Sequence, residues 1–249
     1  MKTGSYTECG PYRKRNEDHA ECAVSGNCAF LVIADGLGGM PCGQVASRMA
    51  VNETLEILKE GWNEDLTADE RHEFLLRLFN TVNGKILRRC IDEPELTGMC
   101  TTLTVVILMP DLVVTGHVGD SRAYLVREEG PVRITTDHNR AAQLVASGKI
   151  TEEEALSHPG RNMLTQVVGE NTFLDPYIRE DRAEEGDFVV LVTDGVYSVM
   201  GEDEIVGLGL DKEDLDGFCR ALVTKAIEGE SFDNCTAAAG VICSNDKEK

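Results

Sequence analysis

What this chain lacks narrows it before any motif is read. No apolar run in its 249 residues approaches the ~20 needed to span a bilayer. The start, Met1-Lys-Thr-Gly-Ser-Tyr-Thr-Glu8, lacks the apolar core of a secretory signal, so a protein of the cytoplasm is expected. Basic residues are scarce: 24 Lys and Arg stand against 44 Asp and Glu, a net charge of −20. That deficit opposes binding to nucleic acid, which needs cations to neutralise phosphates, and adhesion to an anionic membrane. Cysteines number nine, yet none form a Cys-x-x-Cys pair, so neither a zinc site nor a thioredoxin-like motif is indicated. All read as reduced thiols; Cys28 and Cys243 sit in apolar runs, where a thiol behaves as a small hydrophobe. Cys9 to Arg15 matches a Cys-x5-Arg count, but the residues between lack a glycine-rich, amide-donating cradle. Internal repeats, low-complexity tracts and an Asp/Asn-alternating calcium loop are also missing.

What is present centres on two stretches. Leu31-Val-Ile-Ala-Asp-Gly-Leu-Gly-Gly39 runs a buried-strand composition into Asp35 and a glycine loop. Phe188-Val-Val-Leu-Val-Thr-Asp-Gly195 repeats the idea at Asp194. A single Asp-Gly after a strand is most often a turn. Two such strands in one chain point to carboxylates shared at one sheet edge. Asp18, Asp120 and Asp233 also lie beside turns, and a convergence of all five would offer only oxygen ligands, which suit Mg2+, Mn2+ or Ca2+ rather than zinc or copper.

Taken in order, residues 1–27 are polar, and Arg13-Lys-Arg-Asn-Glu-Asp18 reads on its own as a solvated loop. A strand is expected at 28–34, a helix carrying Ala46, Met49, Ala50, Ile57 and Leu58, and a second with Leu75, Leu78, Phe79, Val82 and Ile86 at helical spacing, capped by Asp69 or Thr67. Strands at 101–109 and 112–118 flank the short Pro110-Asp111 turn, which forces them antiparallel. A further strand follows at 122–127, others at 188–193 and 235–243, and a helix bears Leu215, Phe218, Leu222 and Ala226. The polar stretch 137–186 reads as a lid or substrate loop with short helical pieces. Helices packed on antiparallel sheets, an α+β class, are expected.

With these motifs in order (Arg13–Asp18, Ala34–Gly39, Gly98–Thr102, Gly116–Arg122, Thr136–His138, His158–Thr165, Val192–Gly195, Asp233–Thr236), the chain resembles bacterial metal-dependent serine/threonine phosphatases of the type-2C class over about its whole length. The resemblance implies a four-layer αββα sandwich of two antiparallel sheets. It implies one catalytic domain over 1–245, a flap-like insert at 139–180 and a charged tail at 246–249. It assigns Asp35 to bridge two Mg2+ or Mn2+ ions, the Gly36 carbonyl to one of them, and Asp194 and Asp233 to the other. Asp120 with Asp194 would serve a third, weaker site. Glu17 and Asp18 would hold metal-bound waters, Arg13 would grip the substrate phosphate, and Arg161 of the flap would contact substrate. The implied reaction is hydrolysis of phosphoserine and phosphothreonine by in-line attack of a hydroxide bridging two ions. The implied partners are phosphoproteins made by a serine/threonine kinase, and a monomer is expected. Leu37 stands where many relatives carry a proposed general-acid His, and Ser198 where they carry another metal-binding acid.

Two other readings are weighed. A non-catalytic phosphoprotein-binding relative would usually have lost metal aspartates, and this chain keeps them. A nucleotide-binding oxidoreductase would want Gly-x-Gly-x-x-Gly, which Gly36-Leu-Gly-Gly-Met-Pro41 fails at its last position.

Overall fold

The computed structural model describes residues 1–37, 42–127, 130–208 and 212–243. Gly38 and Gly39 of the glycine loop and the tail at 246–249 lie outside the described residues. The chain runs β1 (Lys2–Glu8), β2 (Asp18–Ser25), β3 (Cys28–Asp35), α1 (Gly43–Gly61), α2 (Ala68–Asp92), β4 (Leu103–Leu108), β5 (Leu112–Val118), β6 (Arg122–Arg127) and β7 (Gly130–Arg133). It continues with α3 (Arg140–Ala146), α4 (Glu152–Ser157), β8 (Tyr177–Arg182), β9 (Phe188–Val192), α5 (Asp194–Tyr197), α6 (Glu202–Gly207), α7 (Leu215–Glu228) and β10 (Cys235–Val241). One sheet has the order β1-β10-β9-β6-β7 and the other β2-β3-β4-β5-β8. The pairings within both are antiparallel.

Successive side chains of a strand point to opposite faces, and β3 uses both. Phe30 and Val32 face α1 and α2, where Leu55, Leu58, Leu75 and Phe79 close one core. Leu31 and Ile33 face the other sheet, meeting Val106, Leu125, Val189, Leu191 and Ala238 in the seam between sheets. On the far side Tyr124, Phe188, Val190, Phe218 and Leu222 fill the layer under α7. Each fully buried side chain of this size contributes roughly 1.5–3 kcal/mol. The result is the expected four-layer sandwich. Helix α2 begins with a capping box in which Thr67 and Glu70 satisfy each other's backbone, so Thr67 is the cap.

Three segments differ from the sequence expectation. The polar 1–27 stretch contains β1 and β2, a four-residue strand stands at β7, and 137–186 ends in β8, so residues 177–180 of the expected insert belong to a sheet. These four strands are the edges of the two sheets. An edge strand buries little and carries charge or proline to discourage further pairing, which erases the apolar signature. Pro131 lies in β7, and in β8 Glu180 receives Arg71 at 2.7 Å while Asp181 receives Arg179 at 2.6 Å. Edge strand β1 is covered by α7: Ser5 N donates to Asp216 Oδ1 at 2.9 Å, and the Gly4 carbonyl accepts from the thiols of Cys219 and Cys22 at 3.5 and 3.6 Å. The cysteines are free thiols. Among the described residues no helix is long and apolar enough to cross a membrane.

Candidate active site

Strand pairing brings the aspartates to one end of the sandwich. Asp18 and Asp35 are direct partners in the β2–β3 register. Asp194 opens α5 immediately after β9, and Asp233 sits just before β10, the neighbour of β9. Asp120 follows β5 in the tight turn to β6. Two glycines let the loops close in. A Cβ on Gly36 would lie 2.3 Å from the Gly43 carbonyl oxygen, and one on Gly195 would lie 2.0 Å from that of Asn234, so only glycine fits either place.

Hydroxyls and one amide hold this assembly. Asp18 accepts from Thr193 at 2.8 Å and from Thr236 at 2.7 Å, which ties the edge of one sheet to the ends of two strands of the other. Thr102 Oγ1 receives the Asp35 N–H at 2.9 Å, and Thr101 Oγ1 donates to the Asp35 carbonyl at 2.8 Å. Asn234, 4% exposed, grips the loop between β1 and β2. Its Oδ1 accepts from Glu17 N, and its Nδ2 donates to the carbonyls of Cys9 and Arg15, each at 2.9 Å. That loop presents Arg13, whose guanidinium donates to Asp233 Oδ2 at 2.5 Å and to the Phe232 carbonyl at 3.2 Å. Glu17 lies at the start of α1, where Ser47 Oγ donates to its carbonyl at 2.5 Å.

So many acids in so little water repel their own charge. Burial first, then Asp18, Asp194, Asp120 and Asp233, pushes Asp35 well above the ordinary carboxylate range. Burial and Asp120, Asp233 and Asp18 raise Asp194 likewise, with Arg13 opposing. Burial raises Asp18 to about 6 against the hydroxyls that bind it, and raises Asp120 to about 7 together with Asp137, opposed by Arg122. Glu17 is raised by burial and lowered by Arg13 and Arg15. This is a site short of positive charge.

The donor set fits a hard divalent cation. It is carboxylate and carbonyl oxygen throughout, and Asp194 Oδ1 is buried with no hydrogen-bond partner, an arrangement costly unless a cation or donor faces it. The carboxylates share one electrostatic neighbourhood, yet among the described residues no three His, Cys, Asp or Glu side chains stand as a finished ion-binding group. Part of the reason is visible, since the Arg13 guanidinium takes up Asp233.

Asp18, Asp35, Asp120, Asp194 and Asp233 are thus brought together, with Arg13 and Glu17 beside them. Arg161 lies in the 3-10 turn Pro159–Asn162 and donates to the Leu156 carbonyl at 2.9 Å. His117 is a packing residue, fully buried between Thr104 Oγ1 at 2.8 Å and the Gly119 carbonyl at 2.9 Å and held neutral by that burial. Sequence reasoning gave no role to Asn234, Thr193, Thr236 or Tyr197. Tyr197 lies against Asp120 and stacks under Arg122, whose guanidinium is 3.9 Å from its ring centre. Asn234, Thr193 and Thr236 stand within or beside motifs already noted, so their positions were visible while their partners were not.

Comparisons with known proteins bear on the family and the fold. The family model described as protein phosphatase 2C matches residues 13–230. The serine/threonine phosphatase stp of Listeria monocytogenes is 32% identical, over 92% of this chain and 91% of its own. The protein phosphatase PhpP of Streptococcus pneumoniae is 31% identical, over 96% of each. Among solved structures, the serine/threonine phosphatase Stp1 of Staphylococcus aureus superposes with a TM-score of 0.86 at 30% identity, covering 98% of this chain and 96% of that one. The catalytic domain of the phosphatase PstP, in complex with two manganese ions, superposes with a TM-score of 0.80 at 27% identity, covering 98% of both.

Proposed function

Because this chain belongs to the protein phosphatase 2C family, and with it to the metal-dependent serine/threonine phosphatases, we propose that it hydrolyses phosphoserine and phosphothreonine monoesters in cytoplasmic proteins, reversing the work of a serine/threonine kinase. The observation that carries the reading is the buried aspartate cluster with an unpartnered Asp194 oxygen, set beside an arginine at the surface. Residues 1–245 act as one catalytic unit in this reading, monomeric and with 139–180 as a flap over the site.

Asp35, the Gly36 carbonyl, Asp194 and Asp233 would hold two Mg2+ or Mn2+ ions, and Asp120 with Asp194 a weaker third. Bound there, such ions supply an acidified water and neutralise charge on the phosphoryl oxygens. The chain's own groups do the rest. Glu17 and Asp18 orient water at the rim, and the threonine hydroxyls on Asp18 keep its oxygens fixed. Arg13 exchanges Asp233 for the substrate phosphate, its planar fork matching two oxygens. Arg161 meets the peptide from the flap. Water attacks phosphorus in line with the departing seryl or threonyl oxygen, and no side-chain nucleophile is required. The nearby Cys235 thiol, pushed up to about 11 by burial, is unsuited to that role.

The test is phosphate release from a phosphothreonine peptide, with Mn2+ or EDTA, by the wild type and Asp194→Asn, alongside thermal unfolding. Release should require Mn2+ and vanish in the variant. Mn2+ at ~100 times its dissociation constant should stabilise the wild type by about 2.7 kcal/mol and the variant far less. Release that persists in both EDTA and the variant overturns the reading.

A further inference from the structure

A chain this acidic displays, at one place, three consecutive exposed cations, Arg13-Lys-Arg15. Arg13 is paired with Asp233, while neither Lys14 nor Arg15 forms an ion pair among the described residues. Immediately beside them two aromatic rings face solvent. Tyr12 is 55% exposed and Phe232 69%, and their ring centres lie 4.6 Å apart at 38°. Each ring covers part of the other, and their remaining surface stands open. Tyr12 precedes Arg13 and Phe232 precedes Asp233, so the pair forms the lip of the aspartate site. Its two halves are joined by Arg13 Nε donating to the Phe232 carbonyl at 3.2 Å, and the strand of chain behind Tyr12 is gripped by Asn234. An exposed aromatic pair held this way costs little further ordering when something lies on it.

We propose that Tyr12 and Phe232 are a substrate-recognition platform that takes an apolar side chain one or two residues from the phosphorylated Ser or Thr. The inference rests on the phosphatase reading above and names the peptide chemistry that the site selects. One step of extended chain spans about 3.3–3.6 Å, so a phosphate at Arg13 puts only its near neighbours over rings carried by the adjoining residues. Lys14 and Arg15 draw the anionic peptide in, against the repulsion of the rest of the surface. The rings then discriminate among peptides of equal charge. Aromatic contact of this kind is worth about 5- to 10-fold in affinity.

The test compares two phosphothreonine peptides of equal charge, with Leu or with Ser at the two positions on either side of the phosphothreonine. Both are assayed with Mn2+ on the wild type, Tyr12→Ala, Phe232→Ala and Tyr12→Phe. The wild type should favour the Leu peptide about 5- to 10-fold in kcat/KM, mostly through KM. Either alanine variant should bring that ratio towards one, and Tyr12→Phe should keep it. Because the readout is a ratio within one enzyme, a general loss of activity from disturbing Asp233 does not move it. Wild-type turnover with no preference, or a preference that survives both alanine variants, overturns the platform and leaves the phosphatase reading standing. Wild-type failure on both peptides overturns the phosphatase reading and the platform with it.

Discussion

Replacing Asn234 by Ala tests the idea that one buried amide positions the phosphate-binding loop. Three hydrogen bonds disappear together, from Glu17 N and to the carbonyls of Cys9 and Arg15. At roughly 0.5–1.5 kcal/mol net for each, the loss lies at about 1.5–4.5 kcal/mol. Cys9 is half-buried and Arg15 exposed, so water replaces part of what their carbonyls lose, and the lower half of that range is expected. For a chain of this size about 1 kcal/mol moves the midpoint by roughly 2–4 °C, which gives a fall of about 3–12 °C. Thermal unfolding followed by circular dichroism reads this directly, and steady-state kinetics on a phosphopeptide reads the second consequence. With the loop slack, Arg13 and Glu17 lose their placement while Asp35 and Asp194 keep theirs, so kcat/KM should fall even at temperatures where the variant is fully folded. A midpoint within about 1 °C of wild type would refute the structural role. A lowered midpoint with unchanged kcat/KM would show that the loop is held but does not place Arg13.

Two further outcomes are expected. Arg13→Lys keeps the charge but cannot offer the planar fork that would meet two phosphate oxygens once Arg13 leaves Asp233; a lost charge-assisted bond of about 1.5–3 kcal/mol predicts roughly a 10- to 100-fold fall in kcat/KM, and an unchanged value would contradict the assignment. The raised aspartates make the metal-free protein sensitive to pH in the direction opposite to ordinary acid denaturation. Asp18 at about 6 and Asp120 at about 7 bind protons more tightly folded than unfolded, so their contribution is complete below about pH 4 and lost as pH rises through 6 to 7. Unfolding midpoints in EDTA should therefore decline from pH 5 to 8 relative to those in Mn2+, and parallel curves would count against the charge crowding described.

The six inner strands and the three long helices were legible because each is apolar on one or both faces. β3 shows why: with Leu31 and Ile33 turned to one core and Phe30 and Val32 to another, it reads as one continuous apolar run. The edge strands were not legible, for the converse reason. Arg179 and Asp181 in β8 satisfy each other across the same strand, and such residues in sequence look like loop. At the site, the aspartates announced themselves through their glycine and turn neighbours. Asn234, Thr193 and Thr236 stood in the same motifs, but their partners, some 175 to 225 positions away, left no local trace. Arg161 donates to the Leu156 carbonyl, a local partner that its sequence neighbours do not reveal.

The pairing of β1 with β10, Lys2 opposite Val241 and Glu8 opposite Cys235, has a consequence for how the protein comes into being. β1 leaves the ribosome long before β10, so it waits for that neighbour while the intervening strands and helices are made. The carboxylates of Asp18 and Asp35 emerge early, but the carboxylate of Asp233, the amide of Asn234 and the hydroxyl of Thr236 arrive only as β10 begins. At about 5–20 residues per second, the interval from β1 to β10 lasts roughly ten seconds or more. Until β10 emerges, Asp18 lacks its Thr236 partner and the loop between β1 and β2 lacks the Asn234 amide.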